Sequence, residues 1–197
     1  MTADINPLVI LLAAIFTSNI LLTNFLGMCS FLVCSRQLAT AVGLGLAVTF
    51  VMTCTNLINY LVHHHLLVPL GIEHLQFIVF IAVIAAFVQF LEMFIERFSP
   101  TLYYALGIFL PLITVNCAIL GAGLFMIIRQ YTLMQSVAFG FGGGAGWALA
   151  IILMAGLRQK MGYSNVPAPL RGMGIVMIVT GLMAMAFLGF AGMVAIQ

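Results

Sequence analysis

Charged residues are almost missing from this chain. Only ten of its 197 residues are Lys, Arg, Asp or Glu, which is 5%, whereas soluble domains average about 25%. So few charges cannot cover a surface that faces water, and 64% hydrophobic residues are too many for a disordered chain. The net charge of +2 is too small for a nucleic-acid-binding surface. The class that remains is a membrane protein, for which lipid takes the place of water.

Basic residues are missing from the amino-terminal segment. The segment Met1–Asn6 holds one acidic residue and no Lys or Arg, so it lacks the basic start of a cleavable signal peptide. We therefore expect the first apolar segment to remain in the membrane as a spanning helix.

Cysteine pairs are also absent from the sequence. None of the four cysteines forms a Cys-x-x-Cys pair, which excludes zinc-ribbon, thioredoxin and soluble ferredoxin patterns.

What the chain does contain is a series of long apolar runs. A helix needs about 20 residues to cross ~30 Å of hydrocarbon, and it satisfies its own backbone hydrogen bonds, as lipid requires. The sequence therefore predicts a single all-α membrane domain over residues 1–197, with six transmembrane helices. The predicted spans are Pro7–Leu32, Thr40–Leu61, Leu75–Phe94, Leu102–Ile128, Leu133–Leu157 and Gly174–Ile196.

Basic residues are distributed unevenly among the connectors. With six spans, the first, third and fifth connectors share one side of the membrane and hold five of the six Lys and Arg residues, while Arg129 lies on the other side. Short loops rich in Lys and Arg stay in the cytoplasm. This bias predicts that the N- and C-termini both face the periplasm.

Six spans divide into two groups of three near Ser99–Pro100, giving half-repeats of about 1–98 and 99–197. Because three is odd, a duplicated second half would insert upside down, which is the inverted-repeat plan of many transport proteins. The first and fourth spans each contain a polar break, at Asn24–Cys29 and at Pro111–Cys117. We therefore predict a 3+3 inverted repeat with interrupted first and fourth helices.

Two of the cysteines follow these breaks. Cys29 and Cys117 come directly after a Gly-Met and a Val-Asn sequence, where an interrupted helix leaves backbone groups free to line a site. Two thiolates are half of the four-thiolate shell of an iron–sulfur cluster. On spacing alone, a packing role as small apolar residues stays open for both, and it is the interpretation for Cys34 and Cys54.

An acidic residue within the third span is a further candidate. Gln89, Glu92 and Glu96 follow i, i+3, i+7 and share one helix face. An ionisable group within a membrane helix indicates an ion pathway, but Glu92 is also near enough to the cytoplasmic end to reach headgroups or Arg97. Both interpretations of Glu92 are kept.

Two other patterns are interpreted as structural. His63–His65 cannot place three rings on one helix face, so we expect an interfacial loop and no metal site there. Gly142 and Gly146 form a small-xxx-small pair, which predicts a close helix–helix contact and no phosphate loop.

Four stretches resemble one family over nearly the whole chain. The family comprises the D and E subunits of the Na+-translocating NADH:quinone oxidoreductase (Nqr) and the related subunits of the Rnf complex, and the resemblance is strongest to the E subunit of Nqr. The motif Leu-Pro-Leu-Ile-Thr-Val-Asn-Cys, within the third stretch, is the most specific. The stretches are Phe25–Phe31, Val88–Met93, Leu106–Ala118 and Asn165–Gly172.

The resemblance implies a cofactor and a set of partners. A homologous D subunit of opposite orientation would share a [2Fe-2S] cluster inside the membrane, and the family's two cysteine ligands correspond here to Cys29 and Cys117. The complex would lie in the bacterial inner membrane and would consist of six subunits: D, E, A, B, C and F. NADH and flavins would bind only to subunits other than this one.

The function implied is that of one member of an enzyme complex, without a complete active site of its own. It would carry electrons through the cluster towards ubiquinone and contribute to Na+ translocation. The alternatives are the A subunit of an Rnf complex, which couples ferredoxin:NAD+ electron transfer to ion transport, a cofactor-free transporter, and a structural protein that only packs against partners.

Overall fold

The computed structural model describes residues 6–98, 110–163, 167 and 172–190. Every regular element in these residues is helical. Nine helices in the described part of the chain are labelled in order. They are α1 Pro7–Ile15, α2 Ile20–Asn24, α3 Met28–Cys34, α4 Leu38–Val62, α5 Gln76–Phe98, α6 Leu110–Thr114, α7 Cys117–Ile128, α8 Leu133–Met161 and α9 Met173–Leu188.

Four helical segments in the described residues are long and apolar enough to cross a membrane. They are Leu38–Leu70, Glu73–Arg97, Pro111–Ile128 and Leu133–Met161, and α9 is shorter, with 16 residues. An all-helical membrane protein is therefore confirmed. The six-span inverted repeat stays a prediction, because the start of the fourth predicted span and the end of the sixth lie outside the described residues.

The centre of the fold is the contact between α4 and α8. Moving forward along α4 means moving backward along α8: a Cβ on Gly45 would lie 2.9 Å from Ala148 Cβ, and a Cβ on Gly144 would lie 2.6 Å from Thr49 Cα. The two helices are thus antiparallel and separated by little more than backbone. Equivalent helices of an inverted repeat have this antiparallel relation.

The other face of α8 packs against α1. Residues two apart on a helix point in nearly opposite directions, and Gly142 and Gly146 accordingly face away from α4. A Cβ on Gly142 would lie 2.7 Å from Leu11 O, and one on Gly146 would lie 3.0 Å from Ala14 O. The predicted close contact at this glycine pair is confirmed, and α1 is its partner.

The predicted connectors meet at two opposite ends of the bundle. Arg158 of the fifth connector donates hydrogen bonds to Leu32 O (2.9 Å) and Ser35 Oγ (2.7 Å) beside the first. The second and fourth connectors together line a polar cavity that includes Glu73 and Gln130. The first and fifth connectors therefore lie at one end and the second and fourth at the other, which is the pairing that the predicted topology requires.

One local prediction was wrong and another was incomplete. His63–His65 do not form a loop: they continue α4 through a π-helical turn, His63–Leu67, into Val68–Leu70. The first span has the predicted break, at Phe25–Gly27, and a second one, because Asn19 starts a new helix after Ile15. The hydrogen bond from Asn19 Nδ2 to Gly146 O ties this second break to α8.

Candidate metal centre

The first break positions Cys29 at the start of a half-helix. Phe25 ends α2 in the left-handed region with φ of 54°, and Gly27 follows with φ of 80°. Only glycine adopts the second angle without strain, because it has no Cβ. The helix is interrupted there and α3 begins at Met28, so that Cys29 lies in its first turn and is exposed.

The second break also places a cysteine at the start of a helix, here through a side-chain cap. α6 ends at Thr114, and Asn116 then caps α7 by accepting a hydrogen bond from Ala118 N–H through Oδ1 (3.0 Å). Asn is among the best N-cap residues, since its short side chain satisfies an otherwise unpaired amide of the first turn. Cys117 is consequently the first residue of α7, and it too is exposed.

Hydrogen bonds join the two breaks to each other. Gly27 N–H donates to Cys117 Sγ at 2.8 Å, so the second thiol lies against the backbone two residues before the first cysteine. Asn116 Nδ2 donates to Ser30 Oγ (3.3 Å), and that hydroxyl donates to Gly27 O (3.0 Å). Although they are far apart in the sequence, the two cysteine-bearing turns form one unit.

Backbone N–H groups lie next to the sulfur atoms of this unit. Cys29 and Cys117 each lie in the first turn of a helix, where the N–H groups have no partner within the helix. Gly27 N–H already donates to Cys117 Sγ, and hydrogen bonds to sulfur are a regular feature of iron–sulfur sites. Both cysteines are thus exposed thiols whose surroundings suit metal ligation.

Buried polar groups support the unit from behind. The Trp147 side chain is fully buried, and its Nε1 has no hydrogen-bond partner among the described residues. A Cβ on Gly27 would lie only 2.6 Å from that nitrogen, so the indole fills the space behind the turn. Asn19 ties the start of α2 to α8 by donating to Gly146 O at 2.8 Å.

Asn19 is a structural residue that the sequence analysis missed. Its Oδ1 accepts hydrogen bonds from Leu21 N–H (3.1 Å) and Leu22 N–H (3.3 Å), which is the pattern of a helix N-cap. The signal was present, as a Ser-Asn pair before an apolar run, but it lies inside a longer apolar segment that was interpreted as one span. Asn24, the residue predicted to mark the break, is exposed at the end of α2.

The residues present fit an iron–sulfur cluster shared with a second chain. Two exposed thiols at facing half-helix starts supply half of a four-thiolate shell. The described part of the chain contains no group of three or more His, Cys, Asp or Glu side chains able to hold a metal. If this chain holds such a cluster, the other two thiolates would come from a partner, as the resemblance implies.

The other candidates are not part of the exposed cysteine pair. Cys34 is buried at the end of α3, and Cys54 lines an apolar groove between α4 and α8. Glu92 is half-buried on α5, while Gln89 and Glu96 on the same face are exposed. Glu92 has no hydrogen bond or ion pair among the described residues, so its role stays a prediction.

The fold and the site define a helical, multi-pass membrane protein with two cysteines at paired helix interruptions. A family model described as "Rnf-Nqr subunit, membrane protein" matches residues 8–194. The chain therefore belongs to the Rnf-Nqr family of membrane subunits.

Individual relatives are similar over most of their own lengths. The E subunit of the Na(+)-translocating NADH-quinone reductase of Chlamydia muridarum is 53% identical over 95% of this chain and 82% of its own length. The protein of the same name from Serratia proteamaculans is 54% identical over 91% of this chain and 93% of its own. The A subunit of the ion-translocating oxidoreductase complex of Tolumonas auensis is 50% identical over 95% and 97%.

Proposed function

We propose that this chain is the E subunit of a Na+-translocating NADH:quinone reductase and that it holds half of a membrane-embedded [2Fe-2S] cluster. The observation that carries the proposal is the hydrogen bond from Gly27 N–H to Cys117 Sγ at 2.8 Å. It joins the two turns that carry the exposed cysteines. The names of the relatives from Chlamydia and Serratia support the choice of complex.

In this role the chain binds and orients the cluster. Cys29 and Cys117 supply two of its four thiolates, and a homologous D subunit of opposite orientation supplies the other two. The cluster, when bound, accepts and donates single electrons. Gly27 N–H and the first-turn amides of α3 and α7 stabilise the negative charge on sulfur, and the buried Trp147 keeps water away from one side.

The remaining parts of the reaction belong to other proteins of the complex. We propose that NADH and flavins bind only to other subunits of the complex, and that ubiquinone is the final acceptor. The complex would lie in the bacterial inner membrane, with both termini of this chain in the periplasm. The five-to-one distribution of Lys and Arg between the two sets of connectors supports that orientation.

The experiment compares four cysteine variants in the intact purified complex. Replacing Cys29 or Cys117 by Ala removes a ligand, so we expect loss of cluster iron, loss of its low-temperature EPR signal and loss of NADH-driven quinone reduction. NADH oxidation by artificial acceptors should continue, because that reaction precedes the cluster in the electron path.

Cys34→Ala and Cys54→Ala are the matched controls, since neither cysteine belongs to the exposed pair. Each should cost about 1 kcal/mol of stability, as an ordinary substitution does, and leave the iron content unchanged. Full iron in Cys29→Ala or Cys117→Ala would refute the ligand assignment and favour the cofactor-free transporter.

A second candidate is the A subunit of an Rnf-type complex. The 50% identity to the Tolumonas protein, over 95% of this chain, favours it almost as strongly. The protein composition of the native complex separates the two, because the six proteins of Nqr and those of Rnf differ. Co-purification with the D subunit of Nqr and with a peripheral NADH-oxidising protein is the expected result.

A further inference from the structure

A pair of buried asparagines on α4 lies outside the candidate metal centre. Asn56 and Asn59 are completely buried, and their spacing places them on one face of the helix. The Oδ1 and Nδ2 atoms of both side chains have no hydrogen-bond partner among the described residues. Unpaired amides in a membrane interior carry a large desolvation penalty, so these four atoms require a polar ligand.

Other buried asparagines in the same bundle differ in this respect. Asn19 donates to Ile15 O (3.0 Å) and Gly146 O (2.8 Å), and it also accepts two backbone hydrogen bonds. Asn116 donates to Ser30 and accepts from Ala118. Asn19 and Asn116 thus use both amide atoms in hydrogen bonds that fix nearby backbone. Among the buried asparagines described, only Asn56 and Asn59 have no hydrogen bond at either amide atom.

Glycines on two neighbouring helices face the pair. A Cβ on Gly140 of α8 would lie 2.9 Å from Asn56 Nδ2, and one on Gly123 of α7 would lie 3.2 Å from Asn59 Nδ2. Phe80 of α5, fully buried, closes the site beside Gly123. Both amides therefore lie among α4, α5, α7 and α8, and on α7 and α8 they meet glycines that have no side chain.

Polar side chains continue from the asparagine pair along α4 towards one end of the bundle. His63 follows Asn59 by four residues on the same face of the helix, and its Nδ1 is also buried without a partner among the described residues. His63 also lines the polar cavity formed by the second and fourth connectors, about 340 Å³ in volume, together with Tyr60, His64, Glu73, Gln76 and Gln130. From His63 to Asn56 the helix rises about 10 Å, a third of the hydrocarbon thickness.

The side chains of Asn56, Asn59 and His63 indicate which kind of ligand they bind. Amide oxygens are hard, neutral donors, which suit alkali and alkaline-earth cations rather than soft metals. No Asp or Glu is present on the Asn56–Asn59–His63 face, so the site lacks the carboxylates that compensate a divalent charge. Glu73 at the cavity mouth attracts cations towards the entrance.

We infer that Asn56 and Asn59 bind a Na+ ion, with its remaining water, in the membrane core, and that His63 and the polar cavity connect this site to one membrane face. The inference rests on the proposed function for the identity of the ion. It assigns to this chain a part of the Na+ path that is separate from the cysteine unit and from Glu92.

The test is equilibrium binding of ²²Na+ to the intact purified complex, combined with the Na+ dependence of quinone reduction. Asn59→Leu and Asn56→Leu keep the side-chain size and remove the amide. Each should reduce the bound Na+ by one ion per complex, or raise the half-saturating Na+ concentration about tenfold, as expected for the loss of one polar contact. Asn59→Asp should lower that concentration, because a carboxylate binds Na+ more strongly.

Thr55→Val is the matched control. Thr55 is just as buried and lies one residue from the pair, but its hydroxyl donates to Val51 O of its own helix at 2.7 Å. It should leave Na+ binding unchanged. Should a leucine variant fail to assemble, Asn59→Asp and Gly123→Ala, whose new methyl group would press on Asn59, decide the question with the same measurement.

Unchanged Na+ stoichiometry and affinity in the assembled Asn variants would overturn the inference and leave water alone as the ligand of the amides. Iron content and the EPR spectrum of the same preparations report separately on the cluster. A wild-type complex without iron would refute the proposed function, while the Na+ count would still decide the asparagine site.

Discussion

The two helix breaks each place a cysteine in the first turn of a new helix, but they do so in different ways. The first uses backbone conformation: Gly27 adopts φ of 80° and makes no side-chain cap. The second uses a side chain: Asn116 caps α7 through its amide. In both, the cysteine follows within two residues and lies in the first turn of a new helix, as the second residue of α3 and the first residue of α7.

The two breaks therefore share a geometry without sharing a sequence. Glycine in the left-handed region and an asparagine cap each start a new helix that carries an exposed thiol in its first turn. The two breaks also differ in how they are anchored. α3, with only seven residues, depends on Arg158 at its far end, whereas α7 continues for 12 residues into the bundle.

Gly27→Ala should have the largest effect on the first break. A left-handed conformation costs a non-glycine residue about 1–2 kcal/mol. In addition, the new Cβ would lie 2.6 Å from Trp147 Nε1 in a fully buried site, and such overpacking typically adds about 1–3 kcal/mol. We expect loss of the Cys117 contact and of cluster iron, measured by iron content and complex yield.

Gly43→Ala is the control for this substitution. Gly43 lies within α4, and a Cβ there would have nothing within 4 Å. Alanine is favoured over glycine inside a helix, so this variant should be as stable as wild type or slightly more stable. Equal iron content in Gly27→Ala and Gly43→Ala would show that the first break tolerates a side chain and that its backbone conformation is not the deciding feature.

Arg158→Leu should have the next largest effect. Its guanidinium donates to Leu32 O and Ser35 Oγ at the end of α3, and hydrogen bonds from a charged group contribute about 1.5–3 kcal/mol. Without them α3 loses its anchor, and we expect a broadened cluster EPR signal and lower thermal stability of the complex, with the protein still inserted.

Lys160→Leu removes the same charge from the same helix end, where Lys160 is exposed. Both variants reduce the positive-inside bias equally, but only Arg158→Leu removes the hydrogen bonds to α3. Lys160→Leu therefore controls for a change in membrane orientation. If the two variants behaved alike, charge and not the α3 contact would account for the effect.

Asn116→Ala should have the smallest effect of the three. Loss of an N-cap costs about 1 kcal/mol, and Ser30 keeps its bond to Gly27 O. We expect a slightly lower thermal stability of the complex with the cluster retained, and Asn116→Ser should restore most of it because the serine hydroxyl also caps α7 without adding a buried charge. Asn24→Ala serves as the comparison, because Asn24 is exposed at the end of α2; a larger loss there than at Asn116 would contradict the cap assignment.

Much of the fold could be predicted from composition and hydropathy alone. The all-helical membrane class, the position of α4, α5 and α8, the two breaks before the cysteines and the close contact at Gly142 and Gly146 are all present in the structure. The extra break at Asn19 and the helical course of His63–His65 were not predicted. The break at Asn19 involves a hydrogen bond between segments far apart in the sequence, from Asn19 Nδ2 to Gly146 O, which local patterns do not reveal.

The sequence by itself determined that this protein resides in lipid as helices and that Cys29 and Cys117 each lie near the start of one, because apolar length and helix-breaking residues act locally. Only the tertiary structure decided that the two cysteine turns touch through Gly27 and Cys117, that Arg158 anchors α3, and that Asn56 and Asn59 are left with unused polar atoms. These facts depend on which helices contact each other. A buried polar group has lost its hydrogen bonds to water, so leaving it without a partner from another part of the chain costs a large desolvation free energy.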